Sequence, residues 1–316
     1  MNHEPVKHGF YVHAITHEAA GIASFEFRPN AGSVAPPIAG AHIDVVLPNG
    51  LTRQYSLINA AGETGGYRVA VKRDARSRGG SQFMHEALRV GTPLTVSAPR
   101  NNFPLREDAR HSAFVAGGIG ITPIVSMIER LVALGQSWEL VYAVRSRRDA
   151  AFLDRLTAGR GRAHVHVDDE VGGAFGVGAH VQNLPANADV YCCGPAPMLD
   201  AFLEATAERD QTRVHVERFA AAPLEPRRGT FVVELARSKM SVTVADGESI
   251  LAALRNAGIS AVSSCEEGVC GTCETAVLDG RPDHRDSVLS ATERSANASM
   301  MICCSGSATE RLVLDL

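Results

Sequence analysis

The chain has 316 residues, 45% of them hydrophobic and 21% charged, with a formal charge of −4 and a pI near 6.3. That length allows two or three domains with substantial cores, and the mildly acidic balance leaves no basic footprint for nucleic acid. No apolar run reaches the length of a membrane-spanning helix and no basic-then-apolar leader opens the chain, so a cytoplasmic protein without membrane or nucleic-acid partners is expected.

Residues 8–100 read as short strands separated by Gly, Pro and Asn turns, for example Ser24-Phe25-Glu26-Phe27 and His42-Ile43-Asp44-Val45-Val46-Leu47. Pro48-Asn49-Gly50 is a strong turn signal between two of them. This pattern predicts a small antiparallel β-barrel, interrupted by one helix over 81–88. From 110 to 218 the texture changes to strand–helix alternation, which predicts an α/β unit with a parallel sheet. Its strands are expected at 111–116, 138–144, 163–167, 190–193 and 214–216, with helices at 122–134, 150–156 and 198–208. The run Asp168-Asp169-Glu170 reads as a solvated loop, and His164 and His166 as structural residues of a strand. A third unit follows, with strands at 230–236 and 240–244 and a helix over 249–257. The boundaries drawn on this basis are a barrel over 1–107, a nucleotide-binding domain over 108–220, a linker over 221–229 and an α+β domain over 230–316.

Three segments of the first two units carry chemistry. Arg53-Gln54-Tyr55-Ser56-Leu57 closes a barrel strand, where a tyrosine can lie on a flat ring, an arginine can bind phosphate and a serine can donate to a ring nitrogen. Arg78-Gly79-Gly80-Ser81 opens the barrel's helix with glycines and a serine cap, an anion-binding arrangement. A ring and a phosphate held on one barrel describe a flavin mononucleotide. Val115-Ala116-Gly117-Gly118-Ile119-Gly120-Ile121-Thr122-Pro123 reads as strand, glycine turn and helix, with Thr122 at the N-cap and Pro123 at the first helical position. Such a turn lets a pyrophosphate approach the backbone, although the spacing is not the usual dinucleotide fingerprint and a tight packing turn would look the same. Tyr191-Cys192-Cys193-Gly194-Pro195 ends another strand of the same sheet; Cys192 reads as an inert buried thiol, while Cys193 at the strand's end could touch a nicotinamide.

The third unit holds the most specific signal. Cys265, Cys270 and Cys273 are spaced C-x4-C-x2-C, with Cys303-Cys304 thirty residues on. That is the ligand spacing of a plant-type [2Fe–2S] ferredoxin. Zinc would favour two C-x2-C pairs or a pair with histidines, and seven cysteines behind no leader argue against disulfides. The fourth ligand is either Cys303 or Cys304. Cys303 is favoured, because it directly follows the strand-like Met300-Met301-Ile302.

Taken in order, these motifs, with Ala70-Val71-Lys72-Arg73, Asp283-His284-Arg285-Asp286 and the ending Leu312-Val313-Leu314-Asp315-Leu316, resemble the phthalate dioxygenase reductase family over essentially the whole chain. The resemblance implies three domains: a flavin-binding barrel, a nicotinamide-nucleotide domain and a β-grasp-like ferredoxin. It implies FMN held by Arg53, Tyr55, Ser56, Lys72, Gly80 and Ser81. NADH would be received by Gly118, Gly120, Thr122, Cys193, Gly194 and Pro195, and the cluster ligated by Cys265, Cys270, Cys273 and Cys303. Ser56 and Cys193 are the residues expected at the reacting rings. The implied function is reduction of FMN by NADH and passage of single electrons through the cluster to a Rieske-type oxygenase acting on an aromatic acid, an aryl ether or a quaternary amine. Cys304 stands where the family has a valine-like position. The alternatives are a FAD- or NADPH-dependent reductase serving another monooxygenase, for which Arg145-Ser146-Arg147-Arg148 could accept a 2′-phosphate, and a non-catalytic iron–sulfur redox protein.

Overall fold

The computed structural model describes residues 7–59, 62–75, 77–157, 161–220 and 229–316. Apart from Gly229, the linker expected over 221–229 lies outside them. The chain divides into two compact units, one of the described residues up to Arg218 and the other from Phe219 to Leu316.

The larger unit begins with six antiparallel strands, β1 (Lys7–Ala19), β2 (Ile22–Pro29), β3 (His42–Val46), β4 (Thr52–Ser56), β5 (Tyr67–Lys72) and β6 (Pro93–Ser97), in the order β4-β3-β6-β1-β2-β5. A bridge between Leu57 and Val69 joins the two outer strands, so the sheet closes on itself. Alternation along the strands turns Phe10, Val12, Phe25, Phe27, Ile43, Val45, Val69 and Val96 inward to fill the barrel. Helix α1 (Gly80–Glu86) covers one end with the fully buried Met84.

The same unit continues into a five-stranded parallel sheet of β7 (Ser112–Gly117), β8 (Trp138–Val144), β9 (Arg162–Val167), β10 (Asp189–Cys193) and β11 (Val214–Glu217). Strand β7 is buried at every position, as a strand covered on both faces should be. Helix α2 (Ile121–Leu134) buries Ile121, Ile124, Val125, Ile128 and Leu131 at helical spacing and stops at Gly135, whose φ of 67° suits a C-cap. Helices α3 (Asp168–Val171), α4 (Val177–Gln182) and α5 (Ala196–Ala205) complete it. The strand order is β11-β10-β7-β8-β9, so the winding reverses between β7 and β10. Ligands of open parallel sheets bind at the carboxyl ends beside such a reversal.

Two local expectations need correction here. Residues 150–156 do not form a helix; two short 3₁₀ turns, Arg147–Asp149 and Leu153–Thr157, flank Phe152, which sits at φ 63° with its side chain buried. The Ala151 amide donates to the Tyr142 hydroxyl at 3.2 Å, which takes it out of any helical ladder. Residues 168–170 are not a loop but the first residues of α3, where three acidic side chains favour the positive end of the helix.

The second unit has a mixed sheet in the order β13-β12-β18-β14-β16. Its elements are β12 (Phe231–Leu235), β13 (Met240–Val244), α6 (Ile250–Asn256), β14 (Glu274–Asp279), β15 (Pro282–Asp283), α7 (Ala291–Ala296), β16 (Ser299–Met301), β17 (Gly306–Ser307) and β18 (Arg311–Leu314). Strand β18 runs parallel to β12 and antiparallel to β14, between them. Helix α6 packs Ile250, Leu251 and Leu254 onto the sheet, and the cysteine loop follows it. A capping box between Ser290 and Glu293 starts α7.

Candidate active site and cysteine loop

The carboxyl ends of β7 and β10 lie side by side, with Cys193 in register with Ala116. Beyond them the two glycine loops touch. A Cβ on Gly120 would meet the Cys193 carbonyl oxygen at 2.1 Å, so only glycine lets this turn close against its neighbour. Gly118 takes φ 54° at the start of a 3₁₀ turn, Gly118–Gly120, which runs directly into α2. That turn starts the helix earlier than expected. Gly120 is the N-cap, and Thr122 and Pro123 are the second and third helical residues. Instead of capping, the Thr122 hydroxyl donates to the Ile119 carbonyl at 3.0 Å. The extended Pro195 is the N-cap of α5, and Gly194 before it packs on Met198.

On the barrel side, Arg53 lies along the start of α1. Its Nη2 donates to the Arg78 carbonyl at 2.8 Å, and a Cβ on Gly80 would fall 2.5 Å from its Nε. Ser81 does not cap this helix, because Gly79 takes the N-cap position with φ 84°. The Ser81 hydroxyl instead donates to Ser77 Oγ at 3.0 Å and accepts from the Asp74 amide at 3.2 Å, tying the approach to the helix. Tyr55 is partly buried near the end of β4, and burial pushes its phenol pKa upward. Lys72 is exposed at the end of β5 and makes no hydrogen bond to this group among the described residues.

The barrel and the parallel sheet meet through a residue that sequence reasoning overlooked. Glu217 ends β11, half-buried overall with its carboxyl enclosed. It is hydrogen-bonded to the Ser56 hydroxyl, and its Oε2 lies 4.0 Å from the Cys193 sulfur. Burial raises the Glu217 pKa to about 8, against the lowering effect of Ser56. Cys193 is fully buried and its thiol pKa is pushed well up, by burial first and by Glu217 second. The signal in the sequence was a lone carboxylate ending the run Val214-His215-Val216, at the edge where ligands of parallel sheets bind.

In the second unit the cysteine loop gathers its thiols. Cys265 is within hydrogen-bonding reach of Cys270 and Cys303, and Cys303 of Cys273. Backbone amides of Glu267 and Thr272 point at the sulfurs of Cys265 and Cys270, at 3.3 and 3.4 Å. Four soft donors with amide hydrogen bonds suit a thiolate-ligated cluster. The strand argument for Cys303 does not apply, because β16 stops at Met301 and residues 302–304 form a turn. In that turn Cys303 is within reach of Cys265 and Cys273 and also of its neighbour Cys304, whose Sγ fills the space over Gly268, where a Cβ would come within 2.4 Å of it.

A closed barrel, a parallel sheet with glycine loops at its reversal and a four-thiol loop together define an oxidoreductase that binds NAD and an iron–sulfur cluster. Residues 114–204 match the model of the oxidoreductase NAD-binding domain, and residues 233–306 that of the 2Fe-2S iron-sulfur cluster binding domain. The phenoxybenzoate dioxygenase subunit beta of Ectopseudomonas oleovorans is 50% identical over 306 residues, covering 96% of both chains. The tetrachlorobenzoquinone reductase of Sphingobium chlorophenolicum is 49% identical over 310 residues, again covering 96% of both. A solved phthalate dioxygenase reductase, described as modular for electron transfer from pyridine nucleotides to [2Fe–2S], superposes with a TM-score of 0.71 at 37% identity over 99% of this chain and 98% of its own. The chain belongs to the phthalate dioxygenase reductase-like family, the electron-transfer reductase components of oxygenase systems.

Proposed function

We propose that the protein oxidises NADH and delivers the electrons one at a time to a Rieske-type oxygenase in the cytoplasm, a reducing compartment suited to thiolate ligands. When bound, FMN would accept the electron pair from NADH and the [2Fe–2S] cluster would carry single electrons onward, a division of labour that the cofactors supply. The observation that carries this reading is the convergence of Ser56, Glu217 and Cys193, which links the end of a barrel strand to the reversal point of the parallel sheet.

In this reading Arg53, Gly80 and Ser81 hold the phosphate of FMN, with Lys72 at the rim, and Tyr55 lies against its ring. Ser56 orients the ring edge. Gly118, Gly120 and Thr122 leave room for the nucleotide's pyrophosphate, and Cys193, Gly194 and Pro195 position its nicotinamide. Glu217, held neutral by burial, keeps a proton between Ser56 and Cys193 without placing a negative charge where a nucleotide must dock. Cys265, Cys270, Cys273 and Cys303 would ligate the cluster, while Cys304 packs over Gly268.

The purified protein should show mixed flavin and [2Fe–2S] absorption that bleaches on adding NADH, with FMN rather than FAD released on denaturation. A colourless protein containing zinc would reject the proposal. A second reading comes from the relative named tetrachlorobenzoquinone reductase, at 49% identity: a small quinone would be the acceptor. The two part on whether acceptor reduction survives replacement of Cys303.

A further inference from the structure

We propose that Glu170 sets the choice of dinucleotide by holding Arg147 in a closed bidentate pair, which keeps the 2′-phosphate of NADPH off the loop after β8. The inference rests on the reading of the parallel sheet as the NADH-binding lobe.

Strand β8 is the neighbour of β7, the strand that leads into the glycine turn. In sheets of this kind the adenine ribose lies over the loop that follows the neighbouring strand, where an acidic residue binds the 2′-hydroxyl or an arginine accommodates a 2′-phosphate. Here that loop carries Arg145, Arg147 and Arg148 and no carboxylate ends β8. Read alone, three arginines at this place favour the phosphorylated nucleotide.

The carboxylate comes from the next strand instead. The Asp169 amide donates to the Arg145 carbonyl at 3.0 Å, which brings the single turn of α3 against the loop. Glu170 then meets Arg147 face to face, Nε to Oε1 at 2.7 Å and Nη2 to Oε2 at 2.6 Å. A guanidinium fork recognises two oxygens of a phosphate with the same geometry. A 2′-phosphate must therefore displace the carboxylate and lie beside its charge, whereas the uncharged 2′-hydroxyl of NADH meets neither penalty. Both side chains are about half exposed, so salt weakens the pair and the discrimination is graded. Glu170 acts through Arg147 and is a positioning residue.

The experiment compares the holoenzyme with its E170Q, E170A and R147A/E170Q variants. It measures NADH and NADPH oxidation, and inhibition of NADH oxidation by adenosine 2′-phosphate and adenosine 5′-phosphate. Freeing a charge-assisted fork should raise the NADPH-to-NADH ratio of kcat/KM about tenfold in E170Q and E170A. The gain should appear in KM rather than kcat. Inhibition by the 2′-phosphate should tighten while that by the 5′-phosphate stays level, and both effects should vanish in the double variant. A ratio unmoved in both single variants, or a gain that persists without Arg147, overturns the inference while NADH turnover leaves the nucleotide lobe standing. If the unmodified protein oxidises neither nucleotide and neither phosphate competes, the lobe assignment fails and this inference falls with it.

Discussion

The site at the reversal of the parallel sheet and the cysteine loop are built by different means. The first depends on backbone meeting backbone: Gly120 closes against the Cys193 carbonyl, and the side chains there, Ser56, Cys193 and Glu217, are few and enclosed. The second depends on side chains: four thiols converge from a loop and a turn, and the backbone bends to let them. Glu266 takes φ 60°, uncommon for a residue with a side chain, and its carboxylate pairs with Arg255 at 2.5 Å. A site made of backbone contacts is sensitive to volume, and a site made of ligands is sensitive to atom type.

The sharpest test of that contrast is in the turn at 303–304. Cys303→Ala should abolish the cluster's visible absorption and its electron paramagnetic resonance signal when reduced, whereas Cys304→Ala should retain both. Equal loss from the two variants would mean that the ligand was misassigned. The next largest effect is at Gly120, whose φ of −61° any residue can adopt. Gly120→Ala should therefore fail by collision alone, costing about 3 kcal/mol and most of the NADH turnover. Gly118→Ala meets no atom within 4 Å but must hold φ 54°, and should cost about 1–2 kcal/mol. Denaturant unfolding of the two variants gives the order, and a larger loss from Gly118→Ala would show that strain outweighs contact here.

A smaller effect comes from Glu217. Its folded pKa of about 8 lies above the ordinary carboxylate value, so the folded protein binds a proton that the unfolded chain releases. The stabilisation is complete below about pH 4.5 and is lost as pH rises towards about 8. Glu217→Gln removes this contribution, so its Tm should fall less than that of the unmodified protein between pH 5 and pH 8; parallel Tm profiles would show that Glu217 titrates normally. The smallest effect lies far from either site. Ser290→Ala breaks the capping box of α7 and should cost about 1 kcal/mol, with no change in the cluster spectrum.

Much of the fold was legible because period and punctuation agreed. Alternating strands ended at Pro-Asn-Gly, and largely apolar runs such as 138–144 became parallel strands buried at every position but Glu139. What was not legible depended on tertiary partners. Thr122 has the chemistry of an N-cap, but the 3₁₀ turn before it had already begun the helix. Residues 150–156 have helical composition, but the Tyr142 hydroxyl captures the Ala151 amide. Spacing alone singled out three thiols, Cys265, Cys270 and Cys273, and two candidates for the fourth, Cys303 and Cys304. The link through Glu217 joins residues 161 positions apart, from Ser56 to Glu217, and no local pattern encodes it.

The central place of β18 in the second sheet has a consequence for biosynthesis. β18 is the last strand of its unit, yet it must slide between β12 and β14, which are made long before it. The first unit has all its strands by Arg218 and can fold while the ribosome is still translating. The second cannot complete its sheet until β18 is made, so the cysteine loop is synthesised before the sheet beside it can close.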